Sequence, residues 1–162
     1  GFMLLSVYAM SPDSKEGLIL YAAAYCMATI GIFAVLIKMS DYTFDGFNGF
    51  AKQQPLLAAV TTIFLLSLAG IPLTAGFMAK FYMIKAAMYN SGLLWLPILA
   101  LVMAAVSVSY YFRVIQAMYF RESSTPSTLT VTPAFRYTLV ALAALVVLLG
   151  IFPNLLLAWL YF

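Results

Sequence analysis

Leu66-Ser67-Leu68-Ala69-Gly70-Ile71-Pro72-Leu73-Thr74-Ala75-Gly76-Phe77-Met78-Ala79-Lys80-Phe81 sits at the centre of an apolar run from Pro55 to Asn90. A straight helix over that run, about 36 residues, would reach roughly 54 Å. The hydrocarbon core of a bilayer is only about 30 Å thick. The run is therefore too long for one upright helix and short for two full spans with a connection. Gly70, Pro72 and Gly76 mark where it is interrupted. Proline lacks a backbone donor and clashes with the preceding turn, and glycine tolerates the dihedrals of a break. Irregular backbone at membrane depth survives only inside protein or beside water, and broken helices recur in ion and substrate pathways. The stretch reads as a transmembrane helix broken at mid-membrane and facing a polar interior.

Lys80 follows the break and lies about 15 Å before Asn90 along a helix, near the midplane. Snorkelling serves lysines close to helix ends, which includes Lys85 but not Lys80. An ionisable group at that depth is by default part of an ion path.

Composition frames the rest. Of 162 residues, 65% are hydrophobic and 8% charged, against roughly 25% charged in soluble domains. The fold class is all-α: an integral membrane helical bundle of about four transmembrane helices plus the end of a fifth. Residues 1–162 form a single transmembrane domain. The net charge of +3 lies in loops. Without a basic stripe no nucleic-acid partner is expected, and the lipid bilayer is the surrounding phase. Histidine is absent and Cys26 is the only cysteine. The ligand sets of zinc, haem and iron–sulfur sites cannot be built from that, so no metal site and no cofactor are expected in this chain.

In chain order, residues 2–10 read as the tail of a helix already under way, as in a piece of a longer protein. Ser14 is a candidate cap for a second span over residues 17–38. Within that span Tyr25 and Thr29 share one face. A loop, residues 39–54, lies along the interface. After the broken span and an Asn90-Ser91-Gly92 turn, a fourth span covers residues 93–120, with Ser107 near its midpoint. A fifth covers residues 134–160 and reads as lipid-facing or packing. Lys38, Lys52, Arg121 and Arg136 share one side, so that side is cytoplasmic and the C-terminus falls on the outer face. All five acids (Asp13, Glu16, Asp41, Asp45, Glu122) fall in loops. Lys80 then has no carboxylate at its own depth. A neutral amine, a hydrated cavity or a partner outside these residues would each satisfy it.

The run Ser67 to Tyr82 resembles the signature of the antiporter-like membrane subunits of respiratory complex I, and within them the subunit N type. Ala24-Tyr25 through Val35 and Ser107 through Tyr119 agree with the same family. Members have about fourteen spans, and this chain resembles the last four with the end of the one before. Two positions depart from the pattern: the usual Pro-Pro is Pro72-Leu73, and the usual glycine before the lysine is Ala79. The resemblance implies that Lys80 is the proton-relay residue of a translocating subunit in the bacterial inner membrane. Thr29 and Ser107 would line its water chain. The other membrane subunits of the complex would be its partners, and NADH, FMN, Fe–S clusters and quinone would belong to other subunits. A cation/proton antiporter subunit of the related Mrp type and a structural membrane scaffold are the alternatives.

Overall fold

A computed structural model describes residues 1–39, 41–88, 94–122 and 131–158. The helices are α1 (Phe2–Ala9), α2 (Pro12–Lys38), α3 (Phe50–Gln53), α4 (Pro55–Ala69), α5 (Ala75–Met88), α6 (Trp95–Phe120), α7 (Pro133–Ile151) and α8 (Asn154–Leu157). Among the described residues, three helices are long and apolar enough to cross a membrane: α2 from Asp13, α6 and α7.

The halves α4 and α5, of 15 and 14 residues, are about 22 and 21 Å long, each short of the bilayer core. Their order along α2 shows that they are joined end to end. Phe64 of α4 packs on Gly31, Met83 of α5 lies against Gly17, and Lys85 pairs with Asp13 at 3.0 Å. Contacts move steadily back along α2 as the chain moves forward through the break. Residues 55–88 are thus one interrupted span antiparallel to α2, not a hairpin.

Helices in lipid gain little from hydrophobic transfer and associate through close packing, which small residues permit. Ala24, Ala28 and Gly31 supply such a stripe on α2, and Phe64, fully buried, fills against it. On α7 the buried residues Leu139, Ala143, Val146, Leu149 and Gly150 recur at helical spacing. Gly150 lies on the Leu73–Thr74 backbone, so α7 buttresses the break.

Several boundaries differ from the sequence reading. Helix α2 begins at Pro12, with Ser11 as its N-cap. Ser14 acts from inside the first turn, its Oγ accepting from the Ser11 N–H at 2.9 Å. The loop before α4 is not without structure of its own. It folds into a 3-10 turn, Asp45–Phe47, and α3, and buries Phe47 and Phe50 against each other, ring centroids 6.3 Å apart. Helix α7 stops at Ile151, because the residue before a proline is pushed out of helical conformation and Pro153 follows Phe152. The Asn90-Ser91-Gly92 turn lies outside the described residues.

Candidate functional site

A helix leaves its last four carbonyls without intrahelical partners, and in α4 all four can be accounted for. Gly70 takes a left-handed conformation, φ 83°. Its N–H reaches Ser67 O at 3.0 Å and Leu66 O at 2.9 Å, and the Ile71 N–H reaches Leu66 O at 3.0 Å. This closure by a left-handed glycine satisfies Leu66 and Ser67. The remaining two carbonyls accept from a side chain on the other half-helix: Lys80 Nζ donates to Leu68 O at 2.8 Å and to Ala69 O at 2.9 Å. The Lys80 amino group thus caps the negative end of the α4 dipole, a place that favours its protonated form.

Past the closure, Pro72 has no N–H to offer, and Leu73 is also left-handed, φ 73°. A leucine held there costs about 1–3 kcal/mol, a kind of strain that concentrates at functional sites. Thr74 ends the break by donating from Oγ1 to Ile71 O at 2.7 Å, while its carbonyl accepts from the Phe77 and Met78 N–H groups in the first turn of α5. Ser67 Oγ accepts from the Gly76 N–H at 3.2 Å and ties the two halves together. Gly76 does not break the helix, contrary to the sequence reading. It lies inside α5, and its missing side chain lets the Ser67 carbonyl approach.

Beside Lys80 is a cavity of about 130 Å³, room for several waters. Its polar lining comes from three helices: Tyr21 and Tyr25 of α2, Ser67 of α4, and Ser107 and Tyr111 of α6. Phe2 of α1 closes one wall, its ring stacked on Tyr21 and 5.3 Å from Lys80 Nζ. Phe2 and Lys80 also line an apolar cavity of about 220 Å³, with Phe77, Phe81 and Leu101 in its wall.

Of the residues singled out from the sequence, Lys80, Gly76, Tyr25 and Ser107 meet at the polar cavity and Gly70 touches the lysine stem. Thr29 does not line the cavity. Its hydroxyl is buried one turn beyond Tyr25, without a hydrogen-bond partner among the described residues. Tyr21, Ser67, Tyr111 and the two carbonyls were missed. The pairs Tyr21/Tyr25 and Ser107/Tyr111, each at i,i+4 in an apolar span, were the available signal. Among the described residues Lys80 has no carboxylate partner: Asp13 pairs with Lys85 and Glu122 with Lys52. No three His, Cys, Asp or Glu side chains cluster among these residues in a way that could hold a metal ion.

This geometry can be set beside known proteins. The family model for the NADH:quinone oxidoreductase/Mrp antiporter transmembrane region matches residues 1–107. An NADH-quinone oxidoreductase subunit N from Acidobacterium capsulatum is 40% identical over 99% of this chain and 34% of its own length. Subunit N of Flavobacterium psychrophilum is 39% identical over 95% of this chain and 34% of its own length. Among solved structures, a chain of respiratory complex I from Thermus thermophilus with bound aureothin superposes with a TM-score of 0.85. It is 31% identical over 97% of this chain and 36% of its own length. The chain therefore spans about a third of the length of the relatives it matches. With two-thirds of its residues under the family model and a matching helical architecture, the chain belongs to the NADH:quinone oxidoreductase/Mrp antiporter membrane family.

Proposed function

We propose that this chain is the relay-lysine portion of a proton-translocating membrane subunit of an NADH–quinone oxidoreductase. The relatives named subunit N support the assignment of the enzyme. The observation that carries the mechanism is the placement of Lys80 Nζ. Two of its three substituent positions are committed to the carbonyls of Leu68 and Ala69. The third is an N–H in the ammonium and a lone pair in the amine. Beside it are the polar cavity and the face of Phe2. Gain or loss of a proton switches that position between donor and acceptor without moving the other two hydrogen bonds. Waters in the cavity, held by the serine and tyrosine hydroxyls, would carry the proton to and from it.

Energy for translocation comes from redox chemistry in other subunits, which would hold NADH, FMN, Fe–S clusters and quinone. The other membrane subunits of the complex are the partners. The membrane is the bacterial inner membrane, with the Lys38, Lys52 and Arg121 side in the cytoplasm. A reporter inserted at Asp45 should then be cytoplasmic and one fused after Leu157 should be outside. The reverse pair of results would overturn the orientation.

The relay itself is tested in the assembled enzyme. Lys80→Met should insert and assemble normally but lose most proton pumping driven by NADH oxidation. Lys85→Met, which breaks the pair with Asp13 and the contact with the Tyr82 ring but takes nothing from the polar cavity wall, should pump normally. Normal pumping by a well-assembled Lys80→Met enzyme would end the relay reading.

A further inference from the structure

We infer that the Leu68 and Ala69 carbonyls form a cradle for a primary ammonium group, of which Lys80 is the tethered occupant, so that the counter-charge of protonated Lys80 is the α4 C-terminus instead of a carboxylate. The inference deepens the relay reading and rests on it. Lys80 lacks an acid partner among the described residues, yet its head group is not left to solvent. The α4 terminus is built to leave two carbonyls over: the Gly70 closure consumes those of Leu66 and Ser67 and no others. Half-helix C-termini and unwound carbonyls are where membrane transporters hold monovalent cations, because the carbonyl dipoles all point outward there. Here the place is taken by a cation on the protein's own stem. Gly70 makes room for that stem, since a Cβ there would come 2.9 Å from Lys80 Cδ and 3.0 Å from Nζ. The Phe2 ring face, 5.3 Å from Nζ, adds a second cation-favouring element. Two carbonyl oxygens and a ring give few ligands to a bare metal ion. They match an ammonium, whose N–H bonds are directional.

The prediction is chemical rescue. Lys80→Ala empties the cradle but leaves its carbonyls in place. In inner-membrane vesicles containing the assembled Lys80→Ala enzyme, methylammonium should restore NADH-driven charge translocation severalfold. The concentration needed should be in the millimolar range or above, the order of the effective concentration that a short tether provides. The readout is membrane potential, because permeant amines collapse pH gradients. Tetramethylammonium, which has the charge but no N–H, should not rescue, and sodium should not either. Lys80→Gln, whose amide fills the cradle without charge, should assemble, fail to pump and resist rescue.

A pumping defect that methylammonium leaves unchanged would overturn the cradle while leaving the relay standing. Full pumping by untreated Lys80→Ala would overturn the relay itself. Equal rescue by sodium or tetramethylammonium, or rescue of Lys80→Gln, would show that the carbonyl pair is not the binding site. Should Lys80→Ala fail to assemble, methylammonium during expression should restore assembly, and failure to do so would also overturn the proposal.

Discussion

Lys80→Arg should stop proton pumping about as completely as removal of the charge. The guanidinium keeps the positive charge, has donors for both the Leu68 and Ala69 carbonyls, and would satisfy the α4 C-terminus. A site whose work is only to hold the broken helix together electrostatically would tolerate it. A relay has to release its proton in every cycle. The reference pKa of arginine lies roughly three units above that of lysine, so the neutral form is about a thousandfold rarer in the same surroundings. Quinone reduction should continue while the protons moved per NADH fall. The measurement is the ratio of charge translocated to NADH oxidised in sealed vesicles, with assembly checked on native gels. A Lys80→Arg enzyme with an undiminished ratio would mean that Lys80 is a fixed charge.

The broken span was legible because three signals coincide: an apolar run of the wrong length, a Gly-Ile-Pro sequence near its middle and a lysine just beyond it. Lys80 stands out for the same reason, as a charge that the sequence reading sets too deep to reach an interface. Its partners could not be read that way. The Leu68 and Ala69 carbonyls belong to backbone, so no side-chain pattern announces them, and they follow only from where the Gly70 closure falls. Gly76 was misread because glycine serves two purposes, an unusual dihedral or a close approach, and a sequence does not say which. Thr29 shares a face with Tyr25, but helical phase fixes direction and not distance, and the hydroxyl falls one turn past the cavity. The end of α7 was set too late because leucines continue beyond Pro153 and keep the hydropathy high after the backbone has turned. Phe2 could not be valued at all, since its role comes from α1 packing on α2 and α5, which brings the ring beside Lys80.

Gly76→Ala should be among the most damaging single-methyl additions available in this chain. An added Cβ would overlap the Ser67 carbonyl oxygen, and the Ser67 Oγ would be only 3.0 Å away. Neither obstacle can swing aside. The carbonyl belongs to the last turn of α4 and accepts the Gly70 N–H that closes the helix, while the Oγ holds the Gly76 N–H. Relief requires α4 and α5 to separate at the break, which would also pull the Leu68 and Ala69 carbonyls away from Lys80. Overpacking of this kind typically costs about 1–3 kcal/mol, and the lost hydrogen bond adds about 1 kcal/mol. Gly17→Ala is the control. Its Cβ would meet Met83 Cγ and the Met83 backbone nitrogen, each at 3.3 Å, and Ser6 Oγ at 3.4 Å, so a shift of a few tenths of an ångström between α2 and α5 relieves it, against outright overlap at Gly76. Gly76→Ala should lower the amount of assembled subunit in the membrane and its thermal stability, and pumping per assembled enzyme should fall as well because the carbonyl pair is displaced. Gly17→Ala should leave pumping per assembled enzyme unchanged. Equal, mild effects from both substitutions would show that the half-helices are not locked at Ser67 and Gly76.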